Sequence, residues 1–493
     1  MAKIERFSSQ LLSTRNIGKQ QSGKMIMRTT VLFLSFLLTT AIYAQTNDSL
    51  VLGFREYLGY VKKYHPVVKQ ADLIVDMAAA EVMKARGGFD PKIAVDYDLK
   101  EFKGSEYYDL LNATFKIPTW YGIELKGTFE QTDGQFLNPE RTLPDDGLYS
   151  AGISFSLGQD FLINERMATL KKARYFELQS AADRQLLVNQ ILFEASVAYF
   201  NWVKSYQETA VFENILSNAQ QRFAGVKRSA EIGDKAAIDT VEARITLQDR
   251  LLNLEQSRLA LLKSALEVSN FLWLNDNIPL ELQPDVIPDI SVESQVDLIL
   301  SINEAPLNEF DPETHPKLQS LRYKIEGLEV EKRLKANKLL PIIDLSYNFL
   351  TEEPLQAATY NTEQYKGGIR FAFPLFLRKE RGDLKLAKFK LQDAGFQYQS
   401  TQLVLRNKLT AIYNELGSLE RQNELIRQIV NDYEQLLSAE ERKFGFGESS
   451  LFLVNSREQK FIESSLKQIE IQNKSLNSKA SLFNTLVTSL DDL

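Results

Sequence analysis

The sequence predicts a mixed fold: long antiparallel α-helical hairpins, plus a few amphipathic strands that copies of the chain would contribute to a shared transmembrane β-barrel. Three observations predict it. The chain is internally duplicated, its helical stretches far exceed ordinary length, and the segments between them alternate apolar and polar residues. The duplication shows first in the two histidines of the 493-residue chain. His65-Pro66 opens a helical stretch that runs to Arg86, ahead of Pro91, and His315-Pro316 opens one that runs to Lys338, ahead of Pro341. Both the histidines and the closing prolines lie 250 positions apart. Gly152-Ile153-Ser154-Phe155 is echoed by Gly368-Ile369-Arg370-Phe371. Each copy reads short helix, strands, very long helix, tight turn, long helix back, and a repeat of this kind sets the architecture.

Before the first repeat, residues 1–44 read as an N-terminal extension and signal peptide. Lys24 and Arg28 precede an apolar run over 31–42, and Tyr43-Ala44-Gln45 offers a cleavage site after Ala44. Met25 or Met27 is a plausible true start. The alternative, a permanent anchor, meets a run too short to span a bilayer. The first repeat then covers 45–275, an acidic, proline-containing linker or equatorial segment 276–313, and the second repeat 314–493.

Composition excludes several classes. With no cysteine there is no disulfide, no thiolate metal site and no lipidated N-terminus. A net charge of −7 without a basic stripe argues against nucleic acid. No phosphate-binding Gly-Lys-Ser/Thr loop and no Gly-x-Ser-x-Gly elbow occurs, so neither enzyme activity nor a cofactor is expected. His65 and His315 read as helix starts rather than catalysts, and as no metal pair, because the copies would stand in different parts of the wall.

In the helical part, residues 165–226 lack proline and contain no glycine before Gly225. At the α-helical rise this is a rod of roughly 90 Å. Its counterpart runs over 379–444, and return helices cover 236–273 and 450–490. Leu247, Leu251, Leu254, Leu261, Ala265 and Val268 follow four-three spacing, breached by Arg258, which is a coiled-coil seam. Leu252, Leu259, Leu262 and Leu266 form a second seam beside it. Two seams suit a helix with neighbours on both sides, as in a sheet or tube of helices. The tips carry Gly233-Asp234 and Phe444-Gly445-Phe446-Gly447, where glycine can take the left-handed conformation that reverses the chain. Asp234, and Ser449 or Ser450, are candidate caps for the return helices.

The strand part has period-two alternation over 93–99, 149–157, 343–349 and 369–375. The first repeat adds a hairpin, with Leu111, Ala113, Phe115 and Ile117 on one arm and Tyr121, Ile123, Leu125 and Phe129 on the other. Its tight turn at Pro118-Thr119-Trp120-Tyr121-Gly122 carries aromatics suited to a bilayer interface, whereas 131–148 and 351–366 read as long polar loops. Short turns at one end and long loops at the other mark an outer-membrane barrel, although a soluble sheet with one buried face would also alternate. At most six strands cannot close a barrel whose smallest members need about eight. Several protomers would then have to share one.

In this order of parts the chain resembles the TolC family of bacterial outer-membrane efflux channels. The resemblance runs over 49–490 and rests on the His-Pro helix starts, the duplicated helix–strand–helix order, the Gly152 and Gly368 segments leading into long helices, and the tips at Gly233 and Gly447. It implies a homotrimer in the outer membrane of a Gram-negative-type bacterium, with strands shared in one β-barrel and helices forming a periplasmic α-barrel. The partners it implies are outer-membrane lipid, a periplasmic adaptor (membrane fusion) protein and an inner-membrane pump or ABC exporter. The function implied is the passive duct of a tripartite efflux or type I secretion system. The added hairpin departs from the family pattern and leaves twelve or eighteen strands open. Where family members carry acids after the second tip, this chain reads Leu451-Phe452-Leu453-Val454-Asn455-Ser456. Asp239 and Glu242 after the first tip become candidates for two acidic rings at the channel aperture, or for a solvated helix face. Gly233, Asp234, Phe444, Gly445, Gly447 and Phe452 become candidates for the hairpin tip and adaptor contact, and Phe444, Phe446 and Phe452 point to either an apolar constriction or that contact. The rival reading is a periplasmic adaptor or helical scaffold that bridges the membranes without forming a pore.

Overall fold

The computed structural model describes residues 50–302, 311–356 and 361–488. The expected signal peptide, its cleavage site and the alternative starts fall outside these residues, as does part of the linker. Strand β1 (Leu50–Leu52) leads into helices α1 (Phe54–Tyr64) and α2 (Pro66–Arg86), then strands β2 (Lys92–Phe102), β3 (Ser105–Pro118), β4 (Ile123–Asp133) and β5 (Leu148–Gly158). Helices α3 (Glu165–Glu231) and α4 (Ala237–Ser269) form the first long hairpin. After β6 (Val286–Pro288) and α5 (Val292–Ile299) come α6 (Pro316–Asn337), β7 (Ile342–Thr351), β8 (Tyr365–Ala372), and the second hairpin, α7 (Arg378–Gly445) and α8 (Leu451–Leu486). Phe373 and Leu375, expected to continue the last strand, lie past its end, where Pro374 between them has no N–H for a ladder. Strand β1, its parallel partner β6 and helix α1 are additions that sequence periodicity did not reveal, the strands being only three residues each.

The two histidines show why the repeats begin where they do. Each is an N-cap in extended conformation with proline at the first helical position. Nδ1 of His65 accepts from the Val67 N–H at 3.2 Å, and Nδ1 of His315 from the Lys317 N–H at 3.1 Å. Each also marks a joint. The end of α4 reaches α2 at His65, whose ring lies 5.9 Å from Phe271 and edge-on to Trp273. The end of α8 reaches α6 at His315, whose Nε2 meets the Thr485 carbonyl at 2.9 Å. So α4 continues into α2 as a broken rod, and α8 into α6.

Helix α3 joins the layers. Near the sheet it lies between α2 and α6, through Leu170 against Val82 and Ala85, and Ala168 against Val330 and Leu334. Further from the sheet it lies between α4 and α8, and α7 flanks first α6 and then α8. The helices thus form a layer four wide, bordered by α2 and α4 on one side and by α7 on the other. Around the middle, Phe54, Tyr57, Tyr199, Phe200 and Trp202 are buried together, and the Tyr199 hydroxyl donates to the Leu52 carbonyl at 2.7 Å and accepts from the Asp289 N–H at 3.0 Å. This clasp ties β1 and the segment after β6 to the long helix; burial pushes the Tyr199 phenol well above its ordinary pKa.

All six longer strands join one antiparallel sheet in the order β2-β3-β4-β5-β7-β8. The β5–β7 pair stitches the two repeats together, from Tyr149↔Thr351 to Gly158↔Ile342. Gly152 is needed at this seam, since a Cβ there would run into the Tyr347 carbonyl and the Asn348 side chain. The added hairpin is continuous with the sheet on both sides. At the end away from the helices, β2 and β3 meet in a two-residue turn, Lys103 and Gly104, both at positive φ, so that end mixes one tight turn with the long connections.

Candidate functional site

The registers decide what the sheet can do. Ile93, Val95 and Tyr97 face Phe115, Ala113 and Leu111; Phe115 and Ala113 in turn face Gly127 and Phe129; Ile153 faces Leu125 on one side and Tyr347 on the other; Leu345 faces Ile369. Side chains alternate between faces, so every apolar set read from the sequence lands on one face of a single sheet. That face is open: Ile93 is 77%, Phe115 43%, Leu125 44% and Ile369 80% exposed. The other face carries Asp96, Asp98, Asn112, Thr114, Lys126, Thr128, Glu130, Ser150, Ser154, Asp344, Asn348 and Arg370. On the strands away from the two borders, polar groups of this face are covered: Thr114 and Thr128 are each 8% exposed. Thr128 and Ser150 hydroxyls hydrogen-bond at 2.6 Å, Ser156 donates to Asp344 at 2.7 Å, and Lys366 stands 3.8 Å from Glu130. Covered hydroxyls and open phenylalanines invert the soluble pattern and match a barrel wall with lipid outside and water inside. This removes the soluble-sheet alternative.

The sheet is seated on the helices at the hairpin turn. Asn164 caps α3 by accepting from the Met167 N–H at 2.8 Å and donates to the Trp120 carbonyl at 3.0 Å. Arg166 pairs with Glu124 at 2.8 Å. Trp120, expected at the bilayer interface, stacks on Phe89 at 5.4 Å and packs over Val82, Ala85 and Leu170, while Tyr121 is the exposed aromatic. The indole is held by protein because the turn sits directly on the end of α2.

At the opposite end, Gly233 and Gly447 reverse the hairpins with φ of 88° and 79°. Gly445 is instead the last residue of α7. Ser450 caps α8 through the Leu453 N–H at 3.3 Å. Asp234 caps nothing, since Ala236 holds the N-cap position of α4. Phe444 is half-buried against Val226, Ala243 and Leu451, with Lys235 Nζ 3.7 Å from its ring centre, so it joins the two tips to each other. Phe446, Phe452, Ile232 and Ile238 are open, at 81%, 69%, 68% and 69%. Asp239 lies in the first turn of α4, and Glu242 one turn on accepts from Asn455 Nδ2 at 3.4 Å. Both acids are partly covered, and Glu242 belongs to the contact between hairpins within one protomer.

Behind them is a buried ion cluster that sequence reasoning missed. Glu458, 1% exposed, accepts from Arg222 at 2.8 Å and from Arg250 at 3.1 Å. Arg222 also reaches Glu441 at 3.0 Å, so α3, α4, α7 and α8 all meet there. Arg258, read as the seam's breach, is exposed and pairs with Glu213 at 3.2 Å. The buried positions of α4 are Ala243, Arg250, Leu254, Ser257, Ser264 and Val268. The heptad step 243–250–257–264 was the available signal, hidden because its residues are small or charged.

Comparisons with known proteins agree with this geometry. The family model described as outer membrane efflux protein matches residues 313–486. CusC, a transmembrane channel former, superposes with a TM-score of 0.64 at 13% identity over 88% of this chain and 91% of its own. VceC, an outer membrane protein of Vibrio cholerae, gives 0.63 at 12% over 89% and 97%. The Campylobacter jejuni outer membrane channel CmeC gives 0.61 at 14% over 96% and 93%. No curated protein sequence matches the chain. The outer membrane efflux protein domain thus lies in the second repeat, and the chain as a whole has the fold of these outer-membrane channels. Its place is the outer membrane, with a large periplasmic helical part, and the pore-less adaptor or scaffold reading falls away.

Proposed function

We propose that three copies of this chain form a passive export duct that receives solute from an inner-membrane pump or ABC exporter, through a periplasmic adaptor, and releases it outside. The inverted sheet, apolar outside and hydroxyl-lined inside, is the observation that carries the reading. A lone six-stranded sheet would leave unpaired edges in lipid, which the bilayer does not tolerate. The helical layer has matching open borders. On α4, Ile238, Ile245, Leu252, Leu259 and Leu266 recur every seven residues and are 42–69% exposed in the single protomer. On α7, Phe389, Phe396 and Leu403 share that spacing, and Leu425, Ile429 and Leu436 continue the open stripe toward the tip. Seven-residue apolar stripes are coiled-coil seams, so α4 and α7 of adjacent copies are natural partners closing a helical tube.

At the free end, exposed Phe446, Phe452 and Ile232 form the adaptor contact, aided by the Gly233 and Gly447 turns. Asp239 and Glu242 lie just behind and bias the aperture toward cations. The test is extraction of outer membranes with mild detergent followed by electrophoresis with and without boiling. A heat-sensitive band near three times the mature mass supports the duct; a protein released by salt alone overturns it.

A further inference from the structure

The strand count per chain sets the width of the outer-membrane exit, and the inference drawn from it rests on the three-copy duct above. The sheet is bordered by β2 and β8. Every residue of β2 is exposed, as is every residue of β8 except Ala372. Strand β2 leaves the helical end and β8 returns to it, so β2 of one copy and β8 of the next run antiparallel, and the up-and-down order continues across the junction. A narrower closure would require either the added β3–β4 hairpin to leave the wall, which would part β2 from β3 and β4 from β5, or β2 and β3 to stand outside it and expose β4 as the border. The geometry opposes that. Pairing of β3 with β4 is unbroken from Pro118↔Glu124 to Asp109↔Asp133, and of β4 with β5 from Ile123↔Phe155 to Glu130↔Leu148. Thr114 on β3 is covered on the same inner face as Thr128 on β4. The turn between these strands is fastened to the helices through Asn164, Arg166 and Phe89.

We infer that three copies close a barrel of eighteen strands, with β2 of each paired to β8 of its neighbour. At the usual strand spacing and a tilt near 40°, such a barrel is about 36 Å across between opposite backbones, against about 24 Å for twelve strands. After inward side chains, the opening still exceeds the ~10–12 Å diameter of an α-helix with its side chains. The exit therefore admits a helical or partly folded polypeptide as well as small solutes, and sieving by size falls to the helical tip.

The chain has no cysteine, so paired cysteines report contacts without background. Leu252→Cys with Ile429→Cys probes the α4–α7 border of the tube. Asp96→Cys combined in turn with Lys366→Cys, Gly368→Cys or Arg370→Cys probes the β2–β8 closure, and Thr128→Cys with the same three probes the narrower one. Covalent trimers from the α4–α7 pair and from a β2–β8 pair are expected. Covalent trimers from α4–α7 without any β2–β8 product, or with a β4–β8 product instead, overturn the eighteen-strand closure and leave the duct standing. Loss of the α4–α7 product, with folded protein, overturns the duct itself. A second measurement needs no substitution: a neutral polymer about 20 Å across, added on the barrel side, should enter and lower single-channel conductance, and its exclusion would overturn the wide exit.

Discussion

Glu458 is one carboxylate holding two arginines in the dry centre of four helices, and what it does there follows from charge burial. Removing one member of a buried ion cluster leaves uncompensated charge, and Glu458→Ala should cost about 3–5 kcal/mol, read as a fall in the melting temperature of the assembled protein. Replacing Arg222, Arg250 and Glu458 together with leucine should restore much of that loss, because no charge then remains to be solvated. If the single variant melts like the parent, the cluster is not structural. The histidines make a pH prediction. Burial lowers the pKa of both below the ordinary 6.5. His315 must be neutral to accept the Lys317 N–H at Nδ1 while Nε2–H donates to the Thr485 carbonyl. The unfolded chain then takes up a proton more readily than the folded one, so the histidines' contribution is complete above pH ~6.5 and declines as the solution is acidified below it. His315→Asn should be less stable at neutral pH yet show a shallower decline between pH 7.5 and 5, measured by thermal melts followed by circular dichroism. At Gly152, valine would collide with β7, and failure of Gly152→Val to reach the outer membrane, judged by fractionation, is the expected result.

Among the elements, α4 shows how one helix serves two interfaces. Its buried line of Ala243, Arg250, Leu254, Ser257, Ser264 and Val268 packs within the protomer, whereas Leu252 and Leu259 stand open on the far side. Charge at the open positions should therefore spare the protomer and harm only association. Leu252→Asp with Leu259→Asp should abolish the heat-sensitive trimer band while helical circular dichroism is retained; a surviving band would show that the stripe meets water. The element also shows what periodicity can and cannot tell. Its 3.5-residue spacing was legible because leucine repeats announce a seam. Which leucines faced inward was not, since small residues can let neighbouring helices approach closely and a buried arginine looks like a surface one until its carboxylate arrives from a helix some 200 positions away.

For the whole molecule, the proposed duct would have its barrel in lipid and its apolar tips toward the cell interior. Phe446→Asp with Phe452→Asp should leave a normal trimer in the outer membrane but uncouple it from its adaptor, seen as loss of copurification and of export. Asp239→Asn with Glu242→Gln should reduce cation over anion selectivity in planar bilayers; unchanged selectivity would leave Glu242 to its contact with Asn455 and Asp239 to a solvated helix face.

Local pattern by itself determined the duplication, the helix starts at His65 and His315, the two long hairpins with their glycine tips, and the alternating strands, because each is written in spacing along the chain or in backbone demands of proline and glycine. Tertiary structure decided the rest. It joined the added hairpin to the sheet, aligned the alternating apolar sets on one outer face, and buried Glu458 between two arginines. It turned Phe444 and Trp120 inward, and built β1 and β6 into a clasp around Tyr199. Those outcomes depend on pairings between segments far apart in the chain, where the free energy belongs to the contact and neither partner carries its signature alone.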